Sequence, residues 1–211
     1  MSSLNELISL LMKLRSVQEI YTDFAAEYEH VVRNELRYAA CTDVPQRVID
    51  SMGPRPHAEI LDVGCGTGLS SLPFMAQGWD VTGLDGSRPM VRKAQRLPYK
   101  KLIRQDIESP WQVEDCSFDA AVLIGVLEYI EDPAALFRQA HEKLVHDGVF
   151  GVTVPIKSRW CTEVGLKSYY RPEITPAIRD AGFRIESCER SLGFEDADAR
   201  VCYWNYVLRR E

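Results

Sequence analysis

The sequence predicts an α/β domain in which helices cover a doubly wound parallel sheet. Short runs of branched apolar residues, typical of buried parallel strands, alternate with segments of helical periodicity from residue 59 onward. Right-handed crossovers between such strands bring their carboxyl ends to one edge of the sheet. Open α/β sheets bind their ligands at that edge. The residues that follow each strand are therefore the first candidates for function.

The composition of the chain restricts its function. Of the 211 residues, 45% are hydrophobic, which suffices for one domain with a sizeable core and an appendage. The formal net charge of −6 argues against a general nucleic-acid binder, and no apolar run approaches the roughly 18 residues of a membrane span. The six cysteines show neither a C-x-x-C pair nor zinc spacing. We therefore expect reduced thiols, no metal site and a cytoplasmic protein.

The residues before the first strand predict a helical cap. Apolar residues at helical spacing predict helices over residues 3–15 and 19–40, and a shorter helix over 43–52 ends at a Gly-Pro pair. Residues 1–58 are thus predicted to form an N-terminal cap or lid, and residues 59–211 the α/β domain. The first helix either packs on its own domain or covers a substrate pocket.

The first strand runs into a glycine-rich turn. Gly64, Gly66 and Gly68 stand at every second position, and the predicted helix begins at Leu69. Such a turn leaves backbone N–H groups pointing outward at a helix N-terminus, where an anionic group can bind. The dinucleotide-binding pattern would need a glycine in place of Leu69. The carboxylate of Asp62 would repel phosphate, so the turn favours a ligand that carries a cation.

The later elements follow in order. We predict strands at residues 79–84, 99–105, 118–124, 149–154, 183–188 and 203–208, and helices at residues 69–77, from 87 onward, 133–145 and 172–181. Residues 155–171 are predicted to be an irregular insertion rich in aromatic residues. Asp85, Asp106 and Gly125 directly follow the second, third and fourth strands, so they are expected at the same edge as the glycine turn.

Two motifs resemble those of a known family. Asp62-x-Gly64-x-Gly66-x-Gly68 resembles the first motif of class I S-adenosylmethionine-dependent methyltransferases, and Gly125 to Pro133 strongly resembles the fourth-strand motif of that family. The resemblance covers residues 60 to about 208 and, more loosely, 19–30. It implies a Rossmann-like, mostly parallel seven-stranded sheet with an antiparallel last strand and helices on both faces. The family often has histidine where this chain has Tyr129, so no histidine role is carried over.

The resemblance also implies a cofactor and its site. The implied cofactor is S-adenosylmethionine, with S-adenosylhomocysteine as product, and its methionine tail and sulfonium match the charges of the turn. The implied cofactor-binding residues are Tyr21, Tyr28, Asp62, Gly64, Cys65, Gly66, Gly68, Asp85, Gly86, Met90, Asp106, Ile107 and Gly125. Among them Asp85 would accept the ribose hydroxyls, Met90 would cover the adenine, and Asp106 would accept from the adenine amino group. The catalytic candidates are Glu128, Tyr129 and Tyr21, and Tyr28 is a further possible base.

The expected activity is in-line transfer of a methyl group to an oxygen, nitrogen or carbon atom of a small-molecule acceptor. A base is needed only if the acceptor arrives protonated. We expect a monomer or homodimer with no nucleic-acid or membrane partner. Two alternatives stay open. The protein could be a protein or RNA methyltransferase, although the acidic net charge disfavours RNA, or it could be a cofactor-binding regulatory module without turnover. The sequence leaves the acceptor unidentified.

Overall fold

The computed structural model of the chain describes residue 30, residues 38–195 and residues 200–211. The helix predicted over residues 3–15, most of that over 19–40, and the candidate residues Tyr21 and Tyr28 lie outside these ranges. The division into a cap and an α/β domain therefore stays a prediction.

The described elements alternate as the sequence predicts. The helices are α1 (Ala40–Met52), α2 (Leu72–Ala76), α3 (Arg88–Ala94), α4 (Pro133–Lys143), α5 (Arg159–Val164) and α6 (Arg171–Asp180). The strands are β1 (Glu59–Val63), β2 (Asp80–Asp85), β3 (Lys101–Arg104), β4 (Phe118–Leu123), β5 (Leu144–Pro155), β6 (Phe183–Glu195) and β7 (Arg200–Arg210). A 3₁₀ turn, Leu127–Tyr129, follows β4.

The seven strands form one mixed sheet in the order β3-β2-β1-β4-β5-β7-β6. Strands β1 to β5 are parallel, and β7 runs antiparallel to both β5 and β6. The predicted mostly parallel, seven-stranded sheet with an antiparallel last strand is thereby confirmed. The strand order reverses between β1 and β4, so the crevice at their carboxyl ends is the expected ligand site.

Apolar side chains cover both faces of the sheet. On one face Phe150 of β5 packs against Phe137 of α4, with ring centroids 6.2 Å apart. On the other face α1 lies directly over β5, because Gly151 has no side chain. A Cβ atom there would approach Val48 Cγ2 to 2.6 Å. Burial on both faces explains why these strands read as nearly continuous apolar runs.

Several elements differ from the prediction. β5 begins at Leu144, five residues earlier than predicted and directly after α4 ends at Lys143. The helix predicted from Leu69 begins only at Leu72, because the intervening residues form turns beneath the glycine loop. The insertion at residues 155–171 is not wholly irregular, since it contains α5, which Ser158 caps through a bond from the N–H of Cys161. Strands β6 and β7 are longer than predicted. They pair with each other beyond the point where β5 ends, as a two-stranded hairpin. In the described part of the chain, no helix has both the length and the apolar character to cross a membrane.

Candidate cofactor and acceptor site

The turn after β1 is held to the end of β2 by its own backbone. The N–H groups of Gly64 and Cys65 donate to the carbonyl oxygen of Leu84 at 2.8 and 3.0 Å. The N–H of Gly66 donates to Oδ2 of Asp85 at 2.8 Å. Gly64 and Gly66 have φ values of 72° and 54°, which few residues other than glycine adopt without strain. The expectation that these N–H groups point outward is therefore wrong: they bond to β2 and to the carboxylate at its end.

Asp85 organises the turn from the predicted position. Its Oδ1 accepts from the N–H of Ser87 at 2.7 Å, while Oδ2 takes the bond from Gly66. Burial raises the pKa of this carboxyl, and the two backbone donors oppose that rise. Ser87 stands at the N-cap position of α3, but its hydroxyl makes no capping bond. Each carboxylate oxygen keeps a further lone pair for a ligand donor.

Asp62 lies beneath the turn and is fully buried. Its Oδ2 accepts from the hydroxyls of Ser70 and Ser71 at 2.7 and 2.6 Å. Burial raises the pKa of the Asp62 carboxyl to about 6, against the effect of the two serines. Among the described residues its Oδ1 has no hydrogen-bond partner. A buried carboxylate oxygen without a donor suits the cationic end of a ligand, and that role for Asp62 stays a prediction.

The turns after β1 and β4 touch each other at the switch point of the sheet. A Cβ atom on Gly64 would come within 2.4 Å of Val126 Cγ2. The N–H of Gly125 donates to Oγ1 of Thr153 on β5 at 2.8 Å, which fixes the start of the second turn. Tyr38 borders the same place, 3.6 Å from where a Gly125 Cβ would stand. The structure thus brings the glycine turn, Asp85 and the fourth-strand motif together at one edge.

Glu128 occupies the side of this crevice nearest β5 and β7. Only 5% of the residue is exposed, and its Oε1 accepts from the hydroxyl of Tyr203 at 2.9 Å. Burial raises the pKa of the Glu128 carboxyl to about 7, while the tyrosine bond opposes the rise. Sequence reasoning missed Tyr203. Tyr203 lies in an almost continuously buried strand, so no alternation of polar and apolar residues singled it out.

The remaining predicted residues are less closely joined to the turn. Met90 is buried in the first turn of α3. Asp106 is exposed after β3, and its Oδ1 accepts from the N–H of Glu108 at 3.1 Å. The carbonyl of Ile107 accepts from Trp111 Nε1 at 2.8 Å. Tyr129 is half-buried at the end of the 3₁₀ turn. In the ranges that the structure describes, acidic, histidine and cysteine residues form no metal-binding group.

Comparison with known proteins agrees with this geometry. A family model described as a methyltransferase domain matches residues 61–152, the stretch from β1 into β5 that contains both turns and Asp85. Residues 61–152 thus match a methyltransferase domain. S-adenosylmethionine is the cofactor of such domains, and the matched range includes Asp62, Gly64, Gly66 and Gly68.

Three relatives illustrate the range of the methyltransferase domain. Trans-aconitate 2-methyltransferase of Deinococcus radiodurans is 35% identical over 117 residues, 53% of this chain and 43% of that protein. A ubiquinone biosynthesis O-methyltransferase of Yersinia enterocolitica is 25% identical over 182 residues, 81% of this chain and 71% of that protein. Magnesium protoporphyrin IX methyltransferase of Synechocystis PCC 6803, solved with S-adenosylhomocysteine, shares the fold at a TM-score of 0.72 and 17% identity, covering 92% of this chain and 98% of that one. The chain spans about half the length of several curated relatives that it matches.

Proposed function

We propose that the protein is an S-adenosylmethionine-dependent methyltransferase that acts on a small-molecule acceptor. The observation that supports this most strongly is the meeting of the glycine turn, Asp85 and the fourth-strand turn at the switch point of the matched domain. Each of these parts is contributed by a different strand, and together they present buried carboxylates to one crevice.

The residues present fit the cofactor. The unpartnered Oδ1 of Asp62 suits a cationic end, and Asp85 retains acceptor capacity for ribose hydroxyls. We assign Gly64, Cys65, Gly66, Gly68 and Gly125 to the backbone lining of the site. We assign Gly86, Met90, Asp106 and Ile107 to its adenosine end, and Tyr21 and Tyr28 to its cover.

The protein contributes alignment more than acid–base chemistry. When bound, the cofactor supplies an electrophilic methyl group on a positively charged sulfur. The chain must hold the acceptor atom in line with that group and exclude water. Such alignment can supply roughly 7–11 kcal/mol of the barrier. If the acceptor arrives protonated, Glu128, Tyr129 and Tyr21 are the candidate bases, and Glu128 is the one whose raised pKa, about 7, suits the role near neutral pH.

A small acceptor is favoured over a macromolecule. Two curated relatives are named for trans-aconitate and for ubiquinone biosynthesis. The insertion over the acceptor side holds Trp160, Tyr169 and Tyr170, of which Tyr170 is 58% exposed. We propose that these aromatic rings and hydroxyls contribute to a pocket for a compact ligand. The net charge of −6 disfavours RNA.

Two measurements test the proposal. Calorimetry with S-adenosylmethionine and S-adenosylhomocysteine should show saturable binding, and its absence would reject the function. A metabolite extract incubated with methyl-labelled cofactor should yield a labelled small product together with S-adenosylhomocysteine. Binding without any labelled product would favour a regulatory module, and label on protein would favour a protein methyltransferase.

A further inference from the structure

We propose that Glu128, held in place by Tyr203, recognises the acceptor through a hydroxyl or amino hydrogen, so that the protein methylates an alcohol, phenol or amine and not a carboxylate. The proposal rests on the proposed function and names its substrate class. It assigns a specificity-determining role to Glu128 and a positioning role to Tyr203.

One oxygen of the Glu128 carboxylate accepts a hydrogen bond, and the other accepts none among the described residues. Oε1 accepts the hydroxyl of Tyr203 at 2.9 Å, whereas Oε2 is buried without a hydrogen-bond partner among the described residues. A buried carboxylate oxygen without a donor is costly, and native structures rarely retain one without a reason. A donor from a bound molecule would remove that cost. Because the residue directly follows the turn at the switch point, the acceptor side is where such a molecule would bind.

Among the described residues, the groups around Glu128 include no compensating cation. The titratable side chains that interact with Glu128 are Tyr203 on β7, Cys161 on α5 and Tyr169 in the insertion. Tyr38 before α1 and Tyr129 on the 3₁₀ turn interact with Tyr203 in turn. Within the described ranges no lysine or arginine influences the pKa of its carboxyl, which burial raises. The amino group of the nearby lysine, Lys167, contacts Glu131 instead.

This environment discriminates between acceptor classes. A hydroxyl or ammonium group brings the hydrogen that Oε2 lacks. A carboxylate brings a second negative charge next to Glu128, where no described lysine or arginine offsets it and two carboxylates must share the single positive charge of the cofactor's sulfur. The surroundings of Glu128 would thus select against carboxylates by repulsion as well as for hydrogen-bond donors by attraction.

In the methyl transfer Glu128 would act as the proton acceptor. The acceptor's oxygen or nitrogen forms a bond to the methyl carbon while the bond from that carbon to sulfur breaks, and the sulfur keeps the electron pair. The proton of the acceptor atom passes to Oε2 of Glu128 and later to solvent. Only the ionised carboxylate can accept it, so turnover should rise with pH through about 7.

A structural role for Glu128 makes a different prediction. Its backbone carbonyl accepts from the N–H of Lys167 at 2.9 Å, and Oε1 holds Tyr203, so the residue could simply anchor the insertion to β7. Glutamine keeps the backbone bond and an oxygen for Tyr203, but loses the charge. Glu128→Gln therefore separates anchoring from acceptor recognition.

The test uses the full chain, methyl-labelled S-adenosylmethionine and a probe panel of catechol, tyramine, ethanolamine, trans-aconitate and benzoate, together with a metabolite extract. We expect label on hydroxyl or amine acceptors only. Glu128→Gln should lower kcat on them roughly 100-fold or more, with affinity for S-adenosylhomocysteine unchanged. Glu131→Gln, which removes an exposed charge three residues away, is the matched control and should retain activity. Methylation of the carboxylates alone, or full activity of Glu128→Gln, would overturn the proposal.

A second readout does not depend on turnover. In protein labelled with ¹³C at glutamate carboxyls and saturated with S-adenosylhomocysteine, the signal missing from Glu128→Gln should titrate near pH 7. In Tyr203→Phe that midpoint should move upward, because the bond from Tyr203 favours the ionised form. An ordinary glutamate midpoint would refute the geometry even if the protein is a methyltransferase. Failure to bind S-adenosylhomocysteine, or binding without any labelled product, would instead reject the proposed function.

Discussion

Replacement of Asp85 by alanine tests whether the carboxylate that shapes the glycine turn also binds the cofactor. In the structure Asp85 accepts from the backbone N–H groups of Gly66 and Ser87 at 2.8 and 2.7 Å. The proposed site adds two ribose hydroxyls to the same carboxylate. The substitution removes all four bonds while leaving the strand that carries them unchanged.

The expected losses differ for folding and for binding. Each bond to a charged acceptor contributes roughly 1.5–3 kcal/mol. For the two ribose bonds this predicts a loss of about 3–6 kcal/mol, or roughly 10²- to 10⁴-fold in Kd. For the two backbone bonds the net loss of unfolding free energy should be smaller. Burial disfavours the ionised carboxyl of Asp85, as the rise of its pKa shows. Removing the side chain therefore also removes this unfavourable burial and offsets part of the loss from the two bonds.

Calorimetry with S-adenosylhomocysteine measures the first loss, and urea unfolding measures the second. Asp80→Ala is the matched control, because Asp80 lies at the other end of β2 with its side chain 59% exposed, paired with Lys100. The control should bind normally. We also expect Asp85→Ala to weaken binding more than a change at the insertion such as Tyr170→Ala. Wild-type affinity in Asp85→Ala, or an equal loss in Asp80→Ala, would remove Asp85 from the site.

Three further changes test other parts of the structure. Gly66→Val should abolish cofactor binding in calorimetry, while the fold survives with a loss of about 1–2 kcal/mol of unfolding free energy because valine is strained at a positive φ. The control Gly78→Val, also at a positive φ but facing open space, should lose a similar unfolding free energy and still bind the cofactor. The pKa of Glu128 is about 7 in the folded protein and 4.5 ordinarily, so the folded state binds the proton more tightly than the unfolded state. The unfolding free energy, measured by urea titration, should therefore fall by about 3 kcal/mol as the pH rises from 4.5 to 7, and this fall should be absent in Glu128→Gln. Hydrogen exchange should show that residues 1–30 and 155–171 gain protection with S-adenosylhomocysteine, and equal protection of residues 1–30 in both states would reject a lid.

The buried parallel strands could be predicted because their environment leaves a simple pattern. β1, β2 and β4 are covered on both faces, so their sequences are apolar runs bounded by turns. β6 and β7 extend past β5 into a two-stranded hairpin, where mixed polar and apolar residues hide the strand ends. α5 was missed although Ser158 and Gly165 mark its two ends, because six residues are too few to show a helical period.

The positions of the candidate site residues at one sheet edge were predictable, but the hydrogen bonds between them were not. Parallel topology alone places Asp62, Asp85 and Gly125 at one edge of the sheet. The bond between Glu128 and Tyr203 joins residues 75 positions apart, and a single sequence contains no trace of that contact. The bonds from the N–H groups of the glycine turn to β2 also could not be predicted, because they depend on the register of β1 against β2, in which Val63 pairs with Leu84.

The bonds from Gly66 and Ser87 to Asp85 have a consequence for binding. A carboxylate that had to leave solvent and rotate toward a ligand would lose binding energy to that rearrangement. Asp85 is already fixed by two backbone donors, and each of its oxygens keeps a lone pair. Ribose hydroxyls would then add to the existing bonds without replacing them. If Asp85 binds the ribose as proposed, the same bonds that close the glycine turn hold it ready for the cofactor, and changes that loosen the turn should weaken binding even where they touch no ligand atom.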